Sequence, residues 1–345
     1  MNTSFLYEML TTASVSGNEI ALQKKVLDYM TPVCDEIHTD ENGNVISILN
    51  PESSCKVLLA GHIDEIGLMI CDVTGDGFLC VKNLGGIYRS TYPGHKVRVH
   101  TKDGIVYGAV VNNRSLSDKK DLNNSDLLVD IGANSKKEAL QYVEIGDTIT
   151  FDTDYRELKN NLITGRALDD RTGAFVVIEA LRLAKEKGCK IGVYSATTVG
   201  EESGMRGAYW ASSRVQPSMA IAVDVTYATD YPGCGREGDV RLGNGPVLCI
   251  APYINRKMNI LLKETAQKLN INLQLETESG MTGTDADKIH YSGKGVPVCL
   301  VSIPLRYMHN PDEVGSLDDI KDCIELLSEF LCSISESISL NPFNE

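Results

Sequence analysis

Apolar and polar positions along this chain fall into two textures. Before residue 70 and again after about 160, apolar runs of strand length alternate with longer stretches of helical period. Between them, only short alternating runs occur, separated by Gly, Asn and Asp. Near the start, Ile20-Ala21-Leu22 and Val26-Leu27 form a helical stripe, with Ser16 and Glu19 at capping-box spacing ahead of it. Further helices are predicted at Arg171–Lys187, closed by Gly188, and at Arg256–Leu269. The last, Leu317–Ile334, has apolar residues at 317, 320, 324, 327, 330, 331 and 334, all on one face. Residues 44–49 and 56–60 read as strands, as do Ile191–Thr198, Met219–Val223 and Pro297–Ile303. In the middle stretch, Lys96–Thr101, Gly104–Val111, Leu127–Ile131 and Thr148–Phe151 predict a small antiparallel β unit with one short helix capped by Ser135 and Glu138. The expected architecture is therefore a mixed-sheet α/β/α domain, discontinuous in sequence (1–69 plus 161–345), carrying an inserted β-barrel-like domain over 70–160.

Composition narrows the class. At 345 residues, 42% hydrophobic and 23% charged, the chain has the make-up of a globular enzyme. A net charge of −14 and a pI near 4.9 argue against nucleic-acid and anionic-membrane partners. No apolar stretch reaches the roughly 18 residues of a spanning helix, and the start lacks the basic-then-apolar order of a signal peptide. The ten cysteines are scattered without a Cys-x-x-Cys pair, and Cys299 and Cys323 sit in apolar settings that suit buried thiols. A cytoplasmic, reducing location is expected.

The strand-like runs also end in chemistry. Val57–Ala60 leads into His62 and Asp64, Ile191–Thr198 into Glu201-Glu202, Met219–Val223 into Asp224, and Pro297–Ile303 towards His309. Asp169 stands just before a helical segment. In open α/β sheets, ligands gather outside the carboxyl ends of the strands. Each residue alone has a plain structural explanation. Paired acids often sit in solvated turns, and Asp170 would suit the cap and dipole of the helix near Arg171. Asp224 is harder to explain so, because a carboxylate closing a buried run is costly unless paired or ligated. Together, two histidines and several carboxylates from five places suggest a metal centre assembled by the fold. A two-metal site needs a bridging group with two oxygens, which a carboxylate supplies. A His-plus-carboxylate set without cysteine favours zinc, cobalt or manganese. Asp64, two residues after His62 in an extended segment, would point to the same side and orient the imidazole. Glu201 and Glu202, adjacent in such a segment, would face opposite ways, so one can bind metal while the other handles a proton.

The motifs around these residues resemble those of the tetrahedral aminopeptidases, dinuclear metallopeptidases that include glutamyl and deblocking aminopeptidases, some relatives carrying an endoglucanase label. They are His62-x-Asp64-Glu65-Ile66-Gly67, Gly165-Arg166-Ala167-Leu168-Asp169-Asp170-Arg171 and Glu201-Glu202-Ser203-Gly204-Met205-Arg206-Gly207-Ala208. Asp224-Val225-Thr226, Leu242-Gly243-Asn244-Gly245-Pro246, Gly283-Thr284-Asp285-Ala286 and Pro304-Leu305-Arg306-Tyr307-Met308-His309 follow in family order. The resemblance implies that Asp169 bridges two divalent ions per subunit, zinc first, with cobalt and manganese as alternatives. His62 and Asp224 would complete one metal site, and Glu202 and His309 the other. Glu201 would be the general base and Asp64 the orienting partner of His62. The resemblance further implies a cis peptide between Asp169 and Asp170, short peptides as substrates, and a homo-oligomer, a hollow tetrahedral dodecamer of dimers.

One stretch departs from many relatives: a Pro-Pro-His-like segment is replaced by Val111-Asn112-Asn113-Arg114-Ser115-Leu116-Ser117, which bears on assembly or access rather than on the metal ligands. Gly233-Cys234-Gly235-Arg236-Glu237-Gly238 has dinucleotide-fingerprint spacing in the wrong context, since Asp239–Leu242 reads as strand and no long helix follows. A His-Glu-x-x-His helix and a Gly-x-Ser-x-Gly elbow are both missing. The rivals are a metal-independent glycosidase, which leaves the two histidines unexplained, and a catalytically inactive assembly protein. For the substrate side chain, Glu278–Asp285 and the region of Arg256 are the candidate contributors.

Overall fold

A computed structural model describes residues 1–236 and 238–343. Its centre is four parallel strands in the order Gly192–Thr198, Lys56–His62, Met219–Tyr227 and Val298–Arg306. Antiparallel strands extend the sheet on both sides: Val45–Leu49 and Glu36–Thr39 at one edge, Glu313–Ser316, Leu162–Gly165 and Arg156–Glu157 at the other. Val247–Ile250 pairs the Val298–Arg306 strand and carries Gln274–Thr277 beside it. The central strands are almost continuously buried because both faces are covered.

The helix Leu168–Glu186 is buried along most of its length and packs between this sheet and the final helix, Leu317–Ser333. Its start presses onto the strand Lys56–His62 at Gly61, where a Cβ would come within 2.7 Å of the backbone of Gly173 and Ala174. Glycine is therefore required at that position, directly before His62. A buried Glu65, paired with Arg166 and Arg171, ties this junction to the N-terminal segment. The Arg171 guanidinium also donates to the carbonyls of Met9 and Leu10 and to the Ser14 hydroxyl.

Six strands between Gly67 and Phe151 form a closed barrel with its own apolar core. The mixed α/β fold with a β barrel agrees with the sequence pattern; several local expectations do not. Glu19 accepts from the Gly17 N–H and Ser16 meets Ser203, so no capping box precedes the helix Ile20–Met30. Asp239–Leu242 forms no strand, and Glu237 of the glycine-rich stretch lies outside the described residues. The strand Met219–Tyr227 runs three residues past Asp224, because Val225 and Thr226 continue the pairing with Ile303 and Pro304. Asp224 is thus within the strand rather than at its end. No helix among the described residues is long and apolar enough to cross a membrane.

Candidate metal centre

His62 ends the strand Lys56–His62, and Asp224 lies three residues before the end of the neighbouring Met219–Tyr227. Asp169 projects from the non-helical start of the helix Leu168–Glu186, where its peptide bond to Asp170 is cis. Glu201 and Glu202 sit in a turn after Gly192–Thr198, not in an extended segment, and the turn itself sends them to different partners. His309 follows Val298–Arg306 in a tight turn, with positive φ at both Tyr307 (63°) and His309 (64°). Such non-glycine backbone is costly and is held only where the surroundings enforce it.

These side chains converge. His62 Nε2 is 3.2 Å from Asp169 Oδ1 and 3.8 Å from Asp224 Oδ1. His309 Nε2 is 3.2 Å from the other Asp169 oxygen, Oδ2, and 3.5 Å from Glu202 Oε1. His62, Asp169 and Asp224 thus form one group able to hold a metal ion, and Asp169, Glu202 and His309 a second. Asp169 belongs to both and offers a different oxygen to each.

The donor chemistry fits divalent cations. Each imidazole donates from Nδ1 to a carbonyl, His62 to Asp64 (3.1 Å) and His309 to Gly86 (2.8 Å). Those bonds fix the tautomer that turns an Nε2 lone pair inward. Gly86 is a close contact, since a Cβ there would meet the His309 ring at 2.9 Å. This glycine, between barrel strands, couples the inserted unit to the centre. Burial holds the carboxyls of Glu201 and Asp224 well above the usual carboxylate range and lifts Glu202 to about 7, with neighbouring carboxylates adding to each. For His309, burial disfavours the charged ring, but Asp169 and Glu202 outweigh it and raise its pKa to about 10. A cluster this rich in carboxylate is relieved by cations. Glu201 Oε1 is buried without a hydrogen-bond partner, and Glu201 Oε2 lies 3.9 Å from His62.

Asp64 lies beyond the strand end, not on it. Its Oδ1 and Oδ2 accept the backbone N–H groups of Glu201 (3.0 Å) and Glu202 (3.2 Å), while Oδ1 is 3.5 Å from His62 Nδ1. It therefore joins His62 to the turn bearing both glutamates. Asp170 does cap its helix, accepting from the Gly173 N–H, and its second oxygen takes the His62 N–H. Two further acids take part, and the sequence pattern marked neither for the role it has. Glu313 accepts from the backbone of Asp169 and His309, and the Thr198 hydroxyl donates to buried Asp285 at 2.5 Å. Asp285 falls in a quoted motif, whereas Glu313 is one acid in the turn-rich stretch after His309, with no spacing to mark it.

A cavity of about 720 Å³ opens onto the centre, lined by Glu201, Asp224 and His309, and beyond them by Thr226, Glu276 and Glu278. Arg256 is exposed and lies apart from that wall, so of the candidate side-chain contributors the Glu278–Asp285 segment reaches the cavity and Arg256 does not.

Known proteins share this arrangement of chain. A lysyl aminopeptidase of Pyrococcus furiosus is 34% identical over 332 residues, covering 94% of this chain and 95% of its own. A TET aminopeptidase from a marine-sediment Thaumarchaeota archaeon superposes with a TM-score of 0.91 at 31% identity, covering 96% of each chain. The TET1 peptidase of Pyrococcus horikoshii, described as able to assemble into a tetrahedron or a large octahedral shell, superposes at 0.86 with 29% identity, covering 96% of this chain and 99% of its own. Residues 43–326 match the profile of the M42 glutamyl aminopeptidases, and the chain belongs to that family.

Proposed function

We propose that this chain is a metal-dependent aminopeptidase that removes N-terminal residues from short peptides. The observation that carries the reading is the division of Asp169 between two histidine-containing groups, one oxygen to each. His62, Asp169 and Asp224 would hold one divalent ion, and Asp169, Glu202 and His309 the other; zinc, cobalt and manganese all suit the N/O donors. When bound, the ions supply Lewis acidity that makes water a nucleophile at neutral pH and polarises the scissile carbonyl.

Glu201 would be the residue that moves the proton. It lines the cavity and its Oε1 has no hydrogen-bond partner, so its carboxylate would accept a proton from the attacking water and return it to the leaving amine. Asp64 holds the two glutamates through their N–H groups and keeps them in register with His62. The acidic lining of the cavity suits the α-ammonium of a free N-terminus. The glycosidase rival gains nothing from this geometry, since two imidazoles aimed at one carboxylate have no part in acid/base glycoside cleavage.

The relatives' assemblies support a homo-oligomer here too, a dodecamer in the tetrahedral case. The inserted 70–160 domain, whose exposed Ile105, Tyr107, Tyr142 and Ile145 need cover, would serve oligomerisation and access. Ten free thiols suit a reducing cytoplasm. The family description says glutamyl and the Pyrococcus furiosus relative lysyl, so names leave the preferred first residue open. Mass spectrometry of one peptide, free and N-acetylated, tests the reading. Stepwise loss of single residues from the free form only is expected; internal cleavage contradicts it.

A further inference from the structure

The cavity continues from the metal centre along the strand Met219–Tyr227, past Asp224 to Thr226. Two residues further on, Thr226 leaves the strand on the same face as Asp224, about 7 Å away. Ser302, on the adjacent strand, pairs in register with Asp224. The hydroxyls of Thr226 and Ser302 both donate to the carboxylate of Glu276, Thr226 to Oε2 and Ser302 to Oε1 at 3.0 Å. Glu276 is thus pinned in orientation within the cavity that opens onto the candidate metal centre.

Among the described residues no lysine or arginine pairs with Glu276. The groups acting on it are the two hydroxyls and a second carboxylate, Glu278, which lines the same cavity. Burial, then Glu278, pushes its carboxyl upward against the two hydroxyl bonds. The cation in the wall, Arg236, is exposed and turned onto the Tyr227 ring, 3.2 Å from its centroid. The same cavity is lined by apolar Cys249, which pairs in register with Glu276, and Leu300, two residues before Ser302 on its strand. An apolar passage ending in a fixed carboxylate matches a lysine or arginine side chain, with its alkyl stem and cationic head. Glu201, whose Oε1 is buried without a hydrogen-bond partner, lines the metal-centre end of the same cavity.

We propose, resting on the aminopeptidase reading, that Glu276 forms the wall of the N-terminal side-chain pocket and selects lysine or arginine there, held in place by Thr226 and Ser302. The metal-loaded enzyme should cleave lysyl and arginyl amides at least tenfold better in kcat/KM than the leucyl amide, and a hundredfold better than the glutamyl amide. In Glu276→Gln the lysyl-to-leucyl ratio should fall at least tenfold, through KM, while Glu276→Asp should keep a cationic preference. A leucyl or glutamyl preference in the wild type, or a ratio unmoved by Glu276→Gln, overturns the assignment. If no amide is cleaved, the peptidase reading fails and calorimetry still decides the pocket. Lysinamide binding at least tenfold tighter than leucinamide, lost in Glu276→Gln, upholds it, and equal binding overturns it.

Discussion

Glu313 holds Asp169 by its backbone: one carboxylate oxygen accepts the Asp169 N–H at 3.1 Å, and the other accepts the His309 N–H at 2.8 Å. Glu313 is buried and itself lies outside both metal-holding groups. It joins the shared carboxylate to the histidine of the second group. Glu313→Ala would leave two amides without acceptors and loosen both residues. Metal affinity, measured by equilibrium dialysis, should fall about 10- to 100-fold. Glu313→Gln, which keeps an acceptor, should lose less. Unchanged affinity in the alanine variant would remove Glu313 from a positioning role.

A different loss is expected at Glu201. Replacing it with glutamine preserves volume and removes the basic oxygen. Turnover should drop by about 10²- to 10⁴-fold while the metal content per chain stays at the wild-type value. Elemental analysis beside kinetics separates the two quantities. Wild-type turnover with full metal would take the base role away from this residue.

The Glu65 cluster governs acid stability. Burial alone would raise the Glu65 carboxyl, but Arg166 and Arg171 outweigh it and lower its pKa to about 2, against an ordinary 4.5. A lowered folded pKa stabilises the protein above the unfolded value. That contribution is fully present above about pH 4.5 and is lost as the pH falls through 2. Glu65→Gln leaves two buried guanidinium groups without their anion and should cost about 3–5 kcal/mol at neutral pH. Denaturant melts from pH 7 to 2.5 should show the gap between wild type and variant narrowing on acidification. A constant gap would contradict this account of Glu65.

Much of this was legible in the residues, for definite reasons. Apolar periodicity located Arg256–Leu269, and in the structure the Asn255 side chain caps that helix by accepting from the Met258 N–H. Barrel strands such as Lys96–Thr101 stood out because half-buried antiparallel strands alternate. Six of the site residues stood out as polar exceptions after apolar runs and Asp169 as an acid just before a helical segment, and the fold brings these residues together. What stayed hidden depends on backbone geometry. The Ser16 and Glu19 spacing fits a capping box, yet Ser203 takes the Ser16 hydroxyl and the Glu19 carboxylate accepts from the nearby Gly17 N–H instead. Glu313 acts through the N–H groups of residues 144 and 4 positions away, which no local spacing records. Asp64 was expected beside His62 on a strand, whereas its carboxylate chiefly gathers the Glu201-Glu202 turn.

Metal dependence is the central claim, and one experiment addresses it directly. Hydrolysis of aminoacyl and short-peptide amides is measured on the protein as purified, after chelation, and after return of zinc, cobalt or manganese, with metal content determined at each stage. Two ions per chain, activity lost with them and restored on their return, is the predicted result. His309→Ala should then retain one ion and lose turnover. Peptide hydrolysis that persists in protein shown to be free of metal would contradict the account.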